Sequence, residues 1–173
     1  MAGSFLDYIA IKNTLSLYCV ALDTKDFDLL NEVFTPNVEA KYPFPGGEMK
    51  GVKAVADAIS QRYIPLGEFL GCRRTLLTTS WRLEPISSQH ALTTQNINFY
   101  PNGKSCSVMT YFTGIHFGKG RWQGHQVTAY GKYIDELVRV GNGQWRIAKR
   151  EVKFMGRIGE ERVMEPSYEM ATS

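Results

Sequence analysis

Four β-rich segments follow one another in the second half of the chain, and they constrain its fold more than any other feature. They read HALTTQNINFY, SCSVMTYFTGIHF, QVTAYGKYIDELVRV and QWRIAKREVKFM, and a fifth, TLLTTSWRLEP, precedes them. The connections PNGK and GNG are strong hairpin signals, because Asn-Gly favours the tight turns that join antiparallel strands. We therefore expect an antiparallel sheet built from consecutive hairpins.

The first third of the chain has helical periodicity instead. Apolar residues recur at three- and four-residue steps from Asp7 to Leu22, and FDLLNEVF repeats the pattern until Pro36. A strand, VEAKYPF, and a third helix, GVKAVADAISQRYI, come next. Helices first and a meander afterwards predict an α+β domain, in which the sheet buries one face against the helices and a cavity lies between the two layers.

Length and charge exclude several classes of protein. The 173 residues suit a single core, and the 20 basic and 17 acidic residues are spread along the chain without a basic block, so a nucleic-acid partner is not expected. The N-terminus lacks a basic region followed by a long apolar run, which predicts a cytoplasmic protein with no membrane partner. Cys19, Cys72 and Cys106 are interpreted as structural thiols rather than as disulfides or zinc ligands.

No common cofactor motif is present in the sequence. It contains no P-loop, no G-x-G-x-x-G after a strand, no nucleophile elbow and no HExxH. The glycines of GKGRWQG connect two strands and lack the following helix that a phosphate site needs. We therefore expect no cofactor and no metal, and a small-molecule substrate as the partner.

Two acids lie where apolar residues are expected. Asp23 follows Ala21 and Leu22 in the first helix, so it either ends that helix or points into the cavity. Asp135 shares a strand face with apolar neighbours, so it is either an acid directed into the cavity or half of an ion pair with Arg146 or Arg150.

Two histidines are the candidates for acid–base chemistry. His116 shares a face with apolar residues of its strand, and His90 begins the preceding strand of the same hairpin. Both lie 12 or 13 residues from the turn at PNGK, which predicts that they lie roughly opposite each other. A buried imidazole is well suited to proton transfer near neutral pH. The alternatives are a satisfied core histidine, a bulge or register shift that separates the pair, and a position of His90 in the loop before its strand.

These segments resemble the NTF2-like superfamily, and within it the SnoaL-like and scytalone dehydratase-like proteins. The resemblance rests on YCVALDTKDFDLLNEVFTPNVEAKYPF, on the histidine strand with TYFTGIHFGKG, and on YGKYIDELVRVGNGQWRIAKR. It implies a cone of N-terminal helices packed in a curved antiparallel sheet. It also implies catalytic roles for the helix acid, the strand tyrosine, two histidines and the acid of the G-x-Y-x-D strand: Asp23, Tyr42, His90, His116 and Asp135.

The resemblance further implies a cofactor-independent acid–base enzyme, a dehydratase, isomerase or cyclase that acts on a polycyclic secondary-metabolite intermediate. The helix tyrosine that directly precedes the acid in scytalone dehydratases is Leu22 here, which argues against scytalone itself as the substrate. Two alternatives stay open, a non-catalytic binding or scaffold protein and a shape-selective pericyclase. Aromatic side chains are expected to line the substrate site: Tyr18, Phe44, Phe112, Tyr130 and Tyr133.

The sequence also suggests an organisation beyond the site. We assign residues 1–155 to the domain and residues 156–173 to a C-terminal tail that could cover the cavity as a lid. The outer face of a curved sheet needs a cover, and relatives pair or stack it. A homodimer or homotrimer is therefore expected.

Overall fold

The computed structural model describes residues 3–44, 47–63, 86–141 and 143–164. The chain begins with helix α1 (Phe5–Thr24), followed by a 3₁₀ turn (Phe27–Leu29), helix α2 (Leu30–Val33), strands β1 (Phe34–Lys41) and β2 (Glu48–Lys50), and helix α3 (Val52–Tyr63). The strands β3 (Ser87–Phe99), β4 (Ser105–Phe117), β5 (Gln126–Val140) and β6 (Gln144–Gly159) complete it, with 3₁₀ turns at Gly120–Trp122 and Glu161–Met164. The segment TLLTTSWRLEP and Cys72 lie outside the described residues.

The six strands form one curved open sheet in the order β2-β1-β6-β5-β4-β3, against which the N-terminal helices pack. The predicted α+β fold is confirmed, and the hairpins at PNGK and GNG join β3 to β4 and β5 to β6. One pairing of the sheet departs from the antiparallel pattern of the hairpins: β1 pairs with β6 in the parallel direction. After the three hairpins, β6 can pair with β1 in either direction. The local hairpin signals do not determine which direction it takes.

The second predicted helix is also shorter than expected. It ends at Val33, and Phe34 already belongs to β1, although FDLLNEVF continues the helical period. The pairing of β1 with β6 is irregular between Phe34 and Glu39, the stretch that contains Pro36. Proline has no N–H to donate to a sheet ladder, so it interrupts the pairing there without ending the strand.

Helix α1 is fixed to the sheet at its N-terminus. Ser4 and Asp7 form a capping box, in which each side chain accepts a hydrogen bond from the backbone of the other. Asp7 Oδ1 also accepts from Trp145 Nε1 at 3.0 Å, and Thr14 donates to the Trp145 carbonyl at 2.8 Å. These contacts to β6 set the position of the whole helix, and hence of Asp23 at its other end.

By length and composition only, α1 is long and apolar enough to cross a membrane, a property it shares with the core helices of soluble proteins. In this structure its apolar stripe packs in the core. Ile11, Leu15 and Leu22 are at most 3 % exposed, and they join one hydrophobic cluster with Leu137 and Ile147 of the sheet.

Candidate active site

A cavity of about 300 Å³ lies between α1, α3 and the concave face of the sheet. Its wall is largely apolar, and the polar groups that reach it include both strand histidines, three tyrosines and one arginine. Four of the predicted substrate-binding residues line it: Tyr18, Phe44, Phe112 and Tyr133. Phe112 and Tyr133 stack with ring centroids 4.3 Å apart, which gives the cavity a flat aromatic surface.

Asp23 and His90 form a dyad at this cavity. Asp23 Oδ1 lies 2.7 Å from His90 Nδ1, and Asp23 Oδ2 accepts the His90 backbone N–H at 2.8 Å. Burial disfavours the charged carboxylate, but hydrogen bonds from His90 and Ser88 outweigh it and lower the pKa of Asp23. An ionised carboxylate at Nδ1 selects the tautomer that carries its proton there, so Nε2 is the acceptor. The His90 side chain, 5 % exposed, lines the cavity.

Further hydrogen bonds, from Ser88 and Lys25, hold the Asp23 carboxylate in position. Ser88 Oγ donates to Asp23 Oδ1 at 3.0 Å, and Lys25 Nζ donates to Ser88 Oγ at 2.6 Å and to the Leu22 carbonyl at 2.7 Å. Lys25 has a left-handed backbone (φ 62), which among the described residues no other non-glycine residue adopts. Burial, with Lys119 nearby, lowers the pKa of Lys25 to about 8. The helix therefore ends in a strained residue whose side chain holds the serine that orients Asp23.

His116 lies beside His90, with the two rings perpendicular and their centroids 5.7 Å apart. The pairing shows how they meet. His90 lies opposite Gly114 and Ser88 opposite His116, because the register of β3 and β4 shifts by one between Leu92 and Gln95. A regular ladder from the PNGK turn would pair His90 with Ile115 and turn it to the other face. The bulge thus brings the histidines to one face, as diagonal neighbours rather than directly opposite.

His116 is held neutral at physiological pH. Its burial, followed by the charges of His90, Lys25 and Arg157, lowers its pKa to about 4. A neutral imidazole can donate one hydrogen bond and accept another, but it carries no charge to offer a substrate. His116 is therefore suited to orienting and polarising a substrate group beside the dyad.

The pKa of His116 makes stability depend on pH in a defined window. The unfolded chain binds this proton near pH 6.5 and the folded chain near pH 4, so the free energy of unfolding should rise with pH between these values. The shift corresponds to about 3 kcal/mol. Urea unfolding at pH 4.5 and 7 should show most of this loss in the wild type and little of it in His116→Gln. Asp23, whose pKa is lowered from 3.8, also contributes to the free energy of unfolding, but this contribution is lost only at lower pH. An equal loss in both proteins would contradict the assignment.

Two tyrosine hydroxyls form a second polar group at the cavity. Tyr18 Oη and Tyr42 Oη are 3.0 Å apart, and both side chains line the cavity. Burial raises the pKa of each, so both hydroxyls keep their protons at neutral pH. One of the two can donate to the other while the second donates into the cavity, which suits a carbonyl oxygen of a substrate.

Asp135 occupies the ion-pair position that the sequence left open. Its carboxylate accepts two hydrogen bonds from Arg150, at 2.8 and 2.7 Å, and both side chains are fully buried. The Arg150 guanidinium lies against the rings of Tyr18 and Tyr133, with Cζ 4.1 and 4.3 Å from their centroids. Asp135 is not among the residues that line the cavity. The geometry therefore gives Asp135 a structural role, in which the Asp135–Arg150 ion pair holds the aromatic side chains of the cavity wall in position.

Tyr130 is a correction to the predicted site. Its side chain is 38 % exposed and lies with Tyr111 and Met155 in a shallow depression separate from the cavity. Tyr133, three residues further along β5, points inward, and side chains alternate along a strand, so Tyr130 must point outward.

Three residues of the site were missed in the sequence: Lys25, Ser88 and Arg157. Ser88 lies two residues before His90 and so shares its face, a signal that the sequence did contain. Arg157 lines the cavity, although it falls in the predicted tail. That boundary is wrong in one respect, because β6 continues to Gly159 and the turn Glu161–Met164 follows it. Residues 165–173 lie outside the described part, so the lid stays a proposal.

The described residues contain no group of three or more His, Cys, Asp or Glu side chains placed to hold a metal ion. The described cysteines, Cys19 and Cys106, are buried free thiols, and burial raises the pKa of each to about 12. A thiol with so high a pKa is unreactive as a nucleophile, in agreement with the structural role predicted for it.

A model of the SnoaL-like domain family matches residues 4–151. No curated protein sequence matches the chain significantly. Similar solved structures include a protein of Novosphingobium aromaticivorans provisionally named a scytalone dehydratase (18% identity, 88% of this chain and 87% of that one, TM-score 0.64). They also include a type 2 hexachlorocyclohexane dehydrochlorinase, LinA (13% identity, 91% of this chain and 93% of that one, TM-score 0.64). A third is an NTF2-like superfamily protein of Salmonella enterica (13% identity, 87% of this chain and 92% of that one, TM-score 0.62). At such identities these structures show the fold alone.

Proposed function

This chain belongs to the SnoaL-like domain family, and from the chemistry of its cavity we propose that it is a cofactor-independent acid–base enzyme of the lyase type. The substrate class is a polycyclic, natural-product-like molecule with an enolisable carbonyl. The observation that carries the proposal is the Asp23–His90 dyad, whose acceptor nitrogen belongs to a ring that lines an apolar cavity. The dehydratase and dehydrochlorinase names of two structural neighbours support elimination as the reaction.

The first step is removal of a proton from the carbon next to the carbonyl. His90 Nε2 takes this proton, and the C–H electron pair becomes the enolate. Asp23 stabilises the imidazolium that forms, because its carboxylate already accepts the Nδ1 hydrogen. The Tyr18–Tyr42 pair donates to the carbonyl oxygen, where negative charge develops.

The second step expels a group from the adjacent carbon. The enolate electrons form the carbon–carbon double bond as the bond to a hydroxyl breaks, and the His90 imidazolium returns its proton to that hydroxyl, which leaves as water. Neutral His116 lies beside His90 and orients the leaving oxygen. A substrate without a leaving group would be reprotonated at another carbon, which is isomerisation by the same residues.

The size of the cavity limits the substrate. A volume of about 300 Å³ lies at the lower end of the range for small-molecule sites and suits a bicyclic ring system. The cavity also reaches both histidines, an arrangement that a non-catalytic scaffold protein does not require.

Proton abstraction can be measured without knowledge of the natural substrate. The wild-type protein is expected to accelerate exchange of the α-protons of 2-tetralone, a bicyclic enolisable ketone, in D₂O above the buffer rate. Loss of the α-proton signals in one-dimensional NMR spectra gives the rate. Exchange at the buffer rate with folded protein at millimolar ketone would contradict the proposal.

A further inference from the structure

Arg157 lines the cavity with a partly exposed side chain, in the same row of the sheet as His90. His90 pairs with Gly114, Gly114 with Ala129, and Ala129 with Arg157, so the four residues cross β3, β4, β5 and β6 in one line. Residues opposite each other in a ladder project to the same face. The histidine and the arginine therefore stand at the two ends of a row whose middle positions carry almost no side chain.

The row leaves space for a ligand between the His90 ring and Arg157, over Ala129. Three interstrand spacings separate His90 from Arg157, roughly 14 Å between their Cα atoms. At Gly114 the space is taken by the His90 ring itself, since a Cβ there would lie only 3.0 Å from His90 Nε2. Ala129 contributes a single methyl group and lines the cavity. A flat molecule can thus contact His90 at one end and the guanidinium at the other.

Arg157 faces the cavity because of a second bulge. The register of β5 and β6 shifts by one between Tyr130 and Gly131, so that Gly131 pairs with Phe154 and Tyr130 with Gly156. Met155 is the extra residue, and beyond it the alternation of β6 is reversed. Without the bulge, Arg157 would point to the outer face.

The guanidinium is available to a ligand. Its side chain is 36 % exposed, and its ion pair with Glu161 is long, at 3.9 Å, to a carboxylate that is itself 65 % exposed. The other flank rests on Phe154, with Cζ 5.1 Å from the ring centroid. An arginine held by an aromatic face and a loose, exposed carboxylate can exchange that partner for a ligand anion without leaving a buried charge unpaired.

We infer that Arg157 is a specificity-determining residue, and that the ligand of this cavity carries a carboxylate or another anionic oxygen group at the end remote from the reacting carbon. This inference rests on the proposed function for which end reacts, and it refines the substrate class to anionic, flat, bicyclic molecules. A bidentate guanidinium contact fixes the ligand along the row and so presents its other end to His90 Nε2.

The test is a binding measurement with a matched pair of ligands, 2-naphthoate and 2-naphthamide, which share shape and differ in charge. Isothermal titration calorimetry at low salt should show that the wild type binds naphthoate about tenfold more tightly than the amide. Arg157→Gln should bind both equally. Arg157→Lys should keep part of the preference, since the charge remains.

Arg146→Gln is the matched control, because it removes the same charge from the same strand at a position away from the cavity. It should retain the full preference for naphthoate. Equal binding of the two ligands by the wild type, no detectable naphthoate binding at millimolar concentration, or an unchanged preference in Arg157→Gln would each overturn the inference. Titration involves no turnover, so a failure here is distinct from a failure of proton exchange with 2-tetralone, which bears on the proposed function alone.

Discussion

Replacing His90 with alanine should lower the rate of α-proton exchange from 2-tetralone by roughly two to four orders of magnitude, the usual contribution of a positioned general base. The variant removes the ring whose Nδ1 binds Asp23 and whose Nε2 is the proton acceptor. NMR exchange rates at saturating ketone measure the effect, and circular dichroism shows whether the variant is folded.

Two controls separate this effect from a general disturbance. His125→Ala removes an exposed histidine that does not line the cavity, and it should exchange at the wild-type rate. Free imidazole should partly restore exchange in His90→Ala, because the truncated side chain leaves space beside Asp23. A folded His90→Ala protein that retains exchange within a few fold of wild type would remove His90 from the mechanism.

The second large effect is on stability. Asp135→Asn should lower the free energy of unfolding by about 3 to 5 kcal/mol, because it leaves the fully buried Arg150 without its carboxylate. Arg150 also lies against two rings of the cavity wall, so its displacement disturbs the aromatic surface. Urea unfolding at neutral pH measures the change.

Glu136→Gln is the matched control for this pair. Glu136 follows Asp135 on β5 and pairs with Lys149 across 3.5 Å on the exposed face, so its loss should change the free energy of unfolding by less than about 1 kcal/mol. A fully stable Asp135→Asn protein that had lost proton exchange would contradict the structural role and return Asp135 to the catalytic set.

Much of the fold could be predicted from the sequence because its signals are local. The three-to-four-residue period marks α1, and Asn-Gly turns mark the hairpins, so these elements form as expected. The parallel approach of β1 to β6 depends on contacts between distant segments, and no local pattern encodes it.

The site was predictable in its residue types and less so in its geometry. Asp23 and His90 stand out as polar groups in apolar patterns, and the structure brings them together. Their meeting depends on the bulge near Leu92, and the position of Arg157 depends on the bulge at Met155. One inserted residue reverses which face every later side chain occupies, and a bulge of this kind leaves little trace in the hydrophobic pattern. The register between neighbouring strands therefore could not be predicted from the sequence.

Ser88 and Lys25 illustrate the other limit. Each has an ordinary surface-type identity, and their role arises from hydrogen bonds that join the end of α1 to β3 across more than sixty positions of the chain. Such a network follows from the packing of helix on sheet, which itself depends on the core.

The central claim is that Asp23 and His90 act as one unit in proton transfer, and a double-mutant cycle on 2-tetralone exchange tests it most directly. The measurement compares the wild type, Asp23→Asn, His90→Ala and the double variant under one set of conditions. If the carboxylate acts through the imidazole, the double variant should be no slower than His90→Ala alone, because Asp23 has nothing left to orient. Single effects that multiply in the double variant would show that the two residues act independently, and would contradict the dyad.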